Sequence, residues 1–152
     1  MLKIITLPNP ILRKKSQPVI DVLNEKIQEL IPAMVTAMKA NDGVGLAAPQ
    51  IGQNQRLFVI GYNDNDLVII NPQIIKKSLL KDWGEEGCLS VPHKYGRVKR
   101  PKKVTLKYLN QNGQKQVLKA SGLLARIIQH EIDHLDGILF IDKAKDLTEA
   151  LY

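Results

Sequence analysis

Five consecutive residues, His130-Glu131-Ile132-Asp133-His134, could hold a metal ion and act on water beside it. Side chains four apart on a helix project from one face, one turn above the other. His130 and His134 can therefore offer two ring nitrogens to one cation, the HExxH arrangement of zinc-type hydrolases. Glu131, next to the first imidazole, is then placed to take a proton from that water. The segment is apolar on both sides of the motif, and burying two imidazoles and a carboxylate without partners is costly. A bound ion would remove that cost. The competing account is a chance pentapeptide on an exposed helix face. A hydrolytic site also needs a third protein ligand and an open position for water. Cys88, His93 and several carboxylates qualify by type, and spacing alone does not choose among them. Cys88 follows Gly87, which permits close backbone approach, and precedes the β-like Leu89-Ser90-Val91. A free cysteine is also commonly just a small buried apolar group. His93, between Pro92 and Lys94, reads as an exposed loop residue.

The helix that must carry the motif is predicted from a Ser121 N-cap to about Leu135. Leu123, Leu124, Ile127, Ile128, Ile132 and Leu135 give it a wide apolar face. A second helix is predicted over Val22 to Ala40, capped by Asp21 or Asn24 and stopped by Asn41-Asp42-Gly43. Pro32 inside it requires a kink or a later start. Between the helices lie β-like runs at Arg56–Ile60 and Leu67–Asn71, separated by Asn63-Asp64-Asn65-Asp66. Pro72 to Leu80 reads as an edge strand continuing the second run. Lys103–Leu109 alternates, and Asn112-Gly113 predicts a tight hairpin into Gln116–Lys119. Strands clustered between helices, with hairpin connections, predict an α+β fold of mainly antiparallel sheet.

A chain of 152 residues, 44% hydrophobic, is expected to form one domain over 1–152 without disulfides or a structural metal. Its single cysteine excludes an intrachain disulfide and fits a reducing compartment. No apolar run reaches the ~18–20 residues that span a bilayer, and the N-terminal residues do not read as a secretory or import leader. A cytoplasmic protein is expected. The formal charge of +7 favours anionic surfaces, but aromatics are few and not interleaved with lysines, against specific single-strand nucleic-acid binding.

Three separated segments resemble the motifs of one family, the peptide deformylases, in that family's order. They are Gly43-Val44-Gly45-Leu46-Ala47-Ala48-Pro49-Gln50-Ile51-Gly52, then Glu86-Gly87-Cys88-Leu89-Ser90, then Gln129-His130-Glu131-Ile132-Asp133-His134-Leu135-Asp136-Gly137. The similarity extends over nearly the whole chain, including Leu7-Pro8-Asn9-Pro10, and fades at the C-terminus. It implies antiparallel sheets packed around a central C-terminal helix, with the N-terminal helix outside. It also implies one divalent metal on Cys88, His130 and His134: Fe²⁺ in the cell, with Zn²⁺, Ni²⁺ or Co²⁺ after purification. Glu131 would be the general acid/base, and Gln50 and the Leu89 N–H would be oxyanion donors. Backbone near Val44, Gly45 and Gly87 would pair with an extended N-formylmethionyl peptide or nascent chain, and Val44, Leu123 and Ile127 would wall the methionine pocket. The implied reaction is hydrolytic removal of the formyl group by a monomeric enzyme. The short stretch after Phe140 lacks the C-terminal helix by which longer members dock on the ribosome, leaving the basic surface for weak ribosome contact. His93 and Lys94 stand where many bacterial members have glycine or an acidic residue, which touches the entry rim and not the ligands. Arg100 is read as structural, facing an acidic residue such as Asp133. The rival functions are an HExxH metallo-endopeptidase with a His or Glu third ligand, and an inactive ribosome-associated or metal-storing protein of the same fold.

Overall fold

The computed structural model describes residues 2–150. Among the described residues two α-helices, α1 (Glu25–Ala40) and α2 (Gly122–Leu135), accompany eight strands. Five strands form one antiparallel sheet: β1 (Gly45–Ala47), β2 (Leu57–Tyr62), β3 (Asn65–Lys77), β6 (Lys103–Leu109) and β7 (Lys115–Ser121), in the order β1-β2-β3-β6-β7. The other three, β4 (Lys81–Cys88), β5 (Val91–Pro101) and β8 (Lys145–Glu149), form a second antiparallel sheet in the order β4-β5-β8. The expected α+β architecture is present, with α2 lying between the two sheets and α1 outside. Among the described residues no helix is long and apolar enough to cross a membrane.

Strand β2 explains the layering. Leu57, Phe58, Val59 and Ile60 are all buried, and alternate side chains of a strand point to opposite faces. Leu57 and Val59 pack with Ile31, Met34 and Met38 of α1. Phe58 and Ile60 pack with Ala125, Ile128, Ile132 and Leu135 of α2. A strand covered on both faces reads as a continuous apolar run, as this one does.

The elements differ from the sequence expectations in a few places. Helix α1 takes the later start, capped by Asn24 accepting from Lys26 N–H, and it still runs through Pro32. Asp21 instead accepts from Leu23 N–H. Ser121 sits at the N-cap position of α2 but makes no side-chain capping bond. The turn at Asn63-Asp64 has positive φ at both residues, the geometry that suits a two-residue hairpin, and Asn110 C=O accepts from Gly113 N–H across the second one. The Pro72 segment is continuous with β3 and pairs with β6 after a bulge between Ile70 and Gln73. Leu89 and Ser90 form the turn between β4 and β5, not a strand. The β4–β5 hairpin and β8 lie outside the strands that the sequence predicts.

The two faces of α2 that leave the large sheet set up the site. Ala125, Ile128, Ile132 and Leu135 form its apolar stripe, while Arg126, Gln129, His130 and Asp133 stand on another face and hydrogen-bond to β4 and β5 residues. Helix α2 is thus joined to one sheet by packing and to the other by polar contacts.

Candidate metal centre

Cys88 ends β4, and the turn after it brings its sulfur to α2. Its Sγ lies 3.2 Å from His134 Nε2. The ligand atoms of Cys88, His130 and His134 all lie within 4.8 Å of one another. Of the third-ligand candidates, Cys88 therefore joins the two imidazoles. His93 stands on β5 at the rim of the cleft, with positive φ, and is outside this cluster.

The surrounding bonds set the chemistry of each donor. Burial alone would raise the Glu86 carboxyl, but hydrogen bonds and charge from Arg100 and His130 hold it well below the usual carboxylate range. A carboxylate only accepts, so His130 Nδ1 must be the donor in its 2.8 Å contact with Glu86 Oε1. The other nitrogen, Nε2, faces the cluster and would offer its lone pair to a metal once its proton is displaced. A carboxylate behind a ligating histidine fixes ring orientation and tautomer in just this way. Burial would lower the His130 pKa, yet hydrogen bonds to Cys88 and Glu86 and the field of Glu131 lift it to about 10. The pocket therefore favours a positive charge at this point, and a cation would take over from the proton. Burial, together with the charges of His130 and Arg100, pushes His134 well below the usual imidazole range, so it is the neutral ligand form. His134 Nδ1 and Glu131 Oε2 are buried with no hydrogen-bond partner among the described residues. A sulfur and two imidazole nitrogens within 4.8 Å of one another, with the orphaned Glu131 oxygen buried nearby, fit a site for a divalent metal.

Glu131 packs against β1. Burial raises its carboxyl to about 7, against the opposing pull of His130. Gln50 is carried by the short 3-10 turn Ala48–Ile51 that follows β1. Its Oε1 accepts from Ala47 N–H at 2.9 Å, which settles the amide orientation and turns Nε2 toward Ser90 Oγ (3.2 Å) and Cys88 Sγ (3.5 Å). All of this lies along a cleft of about 800 Å³, which also receives Val44, Gly45, Gly87, Leu89, Leu123 and Ile127. Val44 and Leu123 are exposed there, whereas Ile127 is buried. Every site residue expected from the sequence thus borders the cleft or the metal cluster. The close approach at Gly87 is to a ring of the protein itself, since a β-carbon there would stand 2.7 Å from Tyr95.

Sequence reasoning missed the residues behind the ligands. Arg100 does meet Asp133, at 2.9 Å, but it also grips Glu86 with Nε and Nη2 at 2.7 and 2.8 Å. Arg126 adds a further 2.7 Å bond to Glu86. One signal for Arg126 was available: it precedes His130 by four residues, on the same helix face.

The chain's residues 1–150 match the sequence model of a family described as Polypeptide deformylase. The peptide deformylase of Syntrophomonas wolfei is 51% identical over 142 residues, covering 93% of this chain and 92% of that protein. That of Treponema pallidum is 47% identical, covering 90% and 84%. Among solved structures, the Thermotoga maritima peptide deformylase superposes with a TM-score of 0.92 at 39% identity, covering 95% of this chain and 98% of that one. The Synechococcus elongatus enzyme in complex with actinonin gives 0.92 at 41% identity, covering 95% and 79%. A thiol and two imidazoles converging on one point, within a fold shared so completely, leave one assignment: this chain belongs to the peptide deformylases and is a metal-binding hydrolase.

Proposed function

We propose that the chain, acting as one domain over residues 1–152, removes the formyl group from N-formylmethionyl polypeptides and releases formate. The convergence of Cys88, His130 and His134 beside Glu131 and Gln50 carries this reading. A divalent ion on these three ligands would act as a Lewis acid and bring the pKa of water toward neutrality. Glu131 accepts the proton of the attacking water and passes it to the departing amine nitrogen as the formyl C–N bond breaks. The Gln50 amide, held by Ala47, and the Leu89 N–H donate to the oxygen on which charge collects. One such donor is typically worth about 3–4 kcal/mol of barrier. The substrate backbone runs along Val44, Gly45 and Gly87 as an added strand, with its methionine side chain between Val44, Leu123 and Ile127.

Formate release from a formyl-Met peptide tests the reaction. Turnover is the expected result, and a metal-replete protein without turnover would make the chain a binding protein of this fold. Cys88→Ala should lose both turnover and stoichiometric metal, as read by metal analysis. Full retention of metal would instead suit an endopeptidase-like site with another third ligand.

Fe²⁺ is the metal we assign in the cell, with Zn²⁺, Ni²⁺ or Co²⁺ in purified material. A ferrous thiolate is open to oxidation, so iron-loaded protein should lose activity in air and keep it under anaerobic conditions. Equal decay in both would remove iron from the proposal. The enzyme is proposed to work as a cytoplasmic monomer on nascent chains, touching the ribosome through its basic surface.

A further inference from the structure

Arg126 is largely covered, with an edge on the cleft, and both terminal nitrogens of its guanidinium are engaged. Nη1 donates to Glu86 Oε2 at 2.7 Å and to Val98 C=O at 2.9 Å. Nη2 donates to the Asp82 carbonyl and to its Oδ1, both at 3.1 Å. Three strand positions are therefore held by one helix side chain: two on β4 and one on β5. The strand β4 ends at Cys88, and α2 presents His130 one turn beyond Arg126. The metal cluster draws on both elements, and no disulfide ties them. The space for the guanidinium exists because residue 84 is glycine: a β-carbon there would stand 2.7 Å from Arg126 Cζ and Nε. Glu86 is shared, accepting from Arg126 and Arg100 on one oxygen and from Arg100 and His130 on the other.

We propose that Arg126 is a positioning residue of the metal centre, clamping the strand that carries Cys88 to the helix that carries both imidazoles, with Gly84 as the seat of the clamp. The inference rests on the metal-site reading above. It departs from the simpler account in which Arg126 is only a polar patch on the wall of the substrate cleft. Arginine suits the role because its planar fork meets several acceptors at once. Lysine could replace the charge but not the span from Glu86 to Asp82 and Val98.

The test compares cobalt-loaded wild type with Arg126→Met, Arg126→Lys and Gly84→Ala. It reads Co²⁺ release to a chelator, the Co²⁺ visible absorption bands, and kcat and KM separately. Removing a partner behind a metal ligand typically costs 10–100-fold in metal affinity. Arg126→Met and Gly84→Ala should accordingly release Co²⁺ about 10–100-fold faster and show shifted bands, with Arg126→Lys between them and wild type. Gly84→Ala removes no polar group and displaces only the tip of a flexible side chain, so it carries the test alone should Arg126→Met fail to fold. Wild-type release and unchanged bands in Gly84→Ala, whatever happens to KM, would overturn the proposal and leave Arg126 as cleft wall. A wild-type protein that takes up no Co²⁺ would instead overturn the metal-site reading beneath it.

Discussion

The carboxylate of Glu131 occupies space that a side chain at position 45 would need, since a β-carbon on Gly45 would stand 2.6 Å from Glu131 Oε1. Glycine is required there by the packing of a functional group rather than by a turn, because Gly45 lies in β1 without positive φ. Gly45→Ala should displace the carboxylate while leaving Cys88, His130 and His134 in place. General acid–base catalysis is typically worth about 10²–10⁴-fold, so kcat should fall by about 10²-fold or more with metal content unchanged by elemental analysis. Near-wild-type kcat would show that Glu131 does not need its present position. The residue scale also separates what was readable from what was not. His130 and His134 announce themselves because helix periodicity links positions four apart. Cys88 lies 42 residues from His130 along the chain, and no local period connects them, so only the motif resemblance placed it. Glu86 and Arg126 sat within recognised segments, but their pairing is a tertiary contact that neither segment encodes by itself.

At the scale of elements, burial decided which strands could be recognised. The run Leu57 to Ile60 is apolar throughout because helices cover both faces of β2. Phe58 is fully buried there, and Phe58→Ala should cost about 3–5 kcal/mol through lost burial and the cavity left behind. Val117, on the outermost strand β7, is 60% exposed, and Val117→Ala should stay within about 0.5 kcal/mol. Urea unfolding of the two variants checks the contrast, and equal losses would contradict the two-sided covering of β2. The hairpin of β4 and β5 shows the opposite case. Lys81–Cys88 carries Asp82, Glu85 and Glu86 with two glycines and no apolar alternation. Three of its register partners are basic: Asp82 faces Arg100, Trp83 faces Lys99 and Glu85 faces Arg97. The Glu86–Arg100 ion pair and the contacts of Arg97 and Lys99 with the Trp83 ring cross this ladder, and patterns of hydrophobicity do not register them. Strand β8 is exposed along its length and was invisible for the same reason.

Across the whole molecule, the formal charge of +7 is gathered in part on the second sheet. Arg97, Lys99 and Lys145 converge on the half-exposed Trp83 ring, their charged atoms 5.2, 6.0 and 5.4 Å from its centroid. Asp146 pairs with Arg97 at 3.3 Å, while Lys99 and Lys145 form no ion pair among the described residues. Three cations around one ring repel one another, and a polyanion laid across the sheet would relieve that repulsion. None of these four residues borders the catalytic cleft. A ribosome contact made through this face would therefore be separable from catalysis. In a triple variant, Arg97→Glu, Lys99→Glu and Lys145→Glu, formate release from a short formyl-Met peptide should match wild type. Co-sedimentation with ribosomes should weaken. Each phosphate contact contributes about 0.7–0.9 to the slope of log affinity against log salt, so losing three should flatten that slope by about 2–3. An unchanged slope and unchanged binding would move the contact to another surface, and a loss of peptide turnover would mean that this sheet supports the catalytic centre rather than an outside partner.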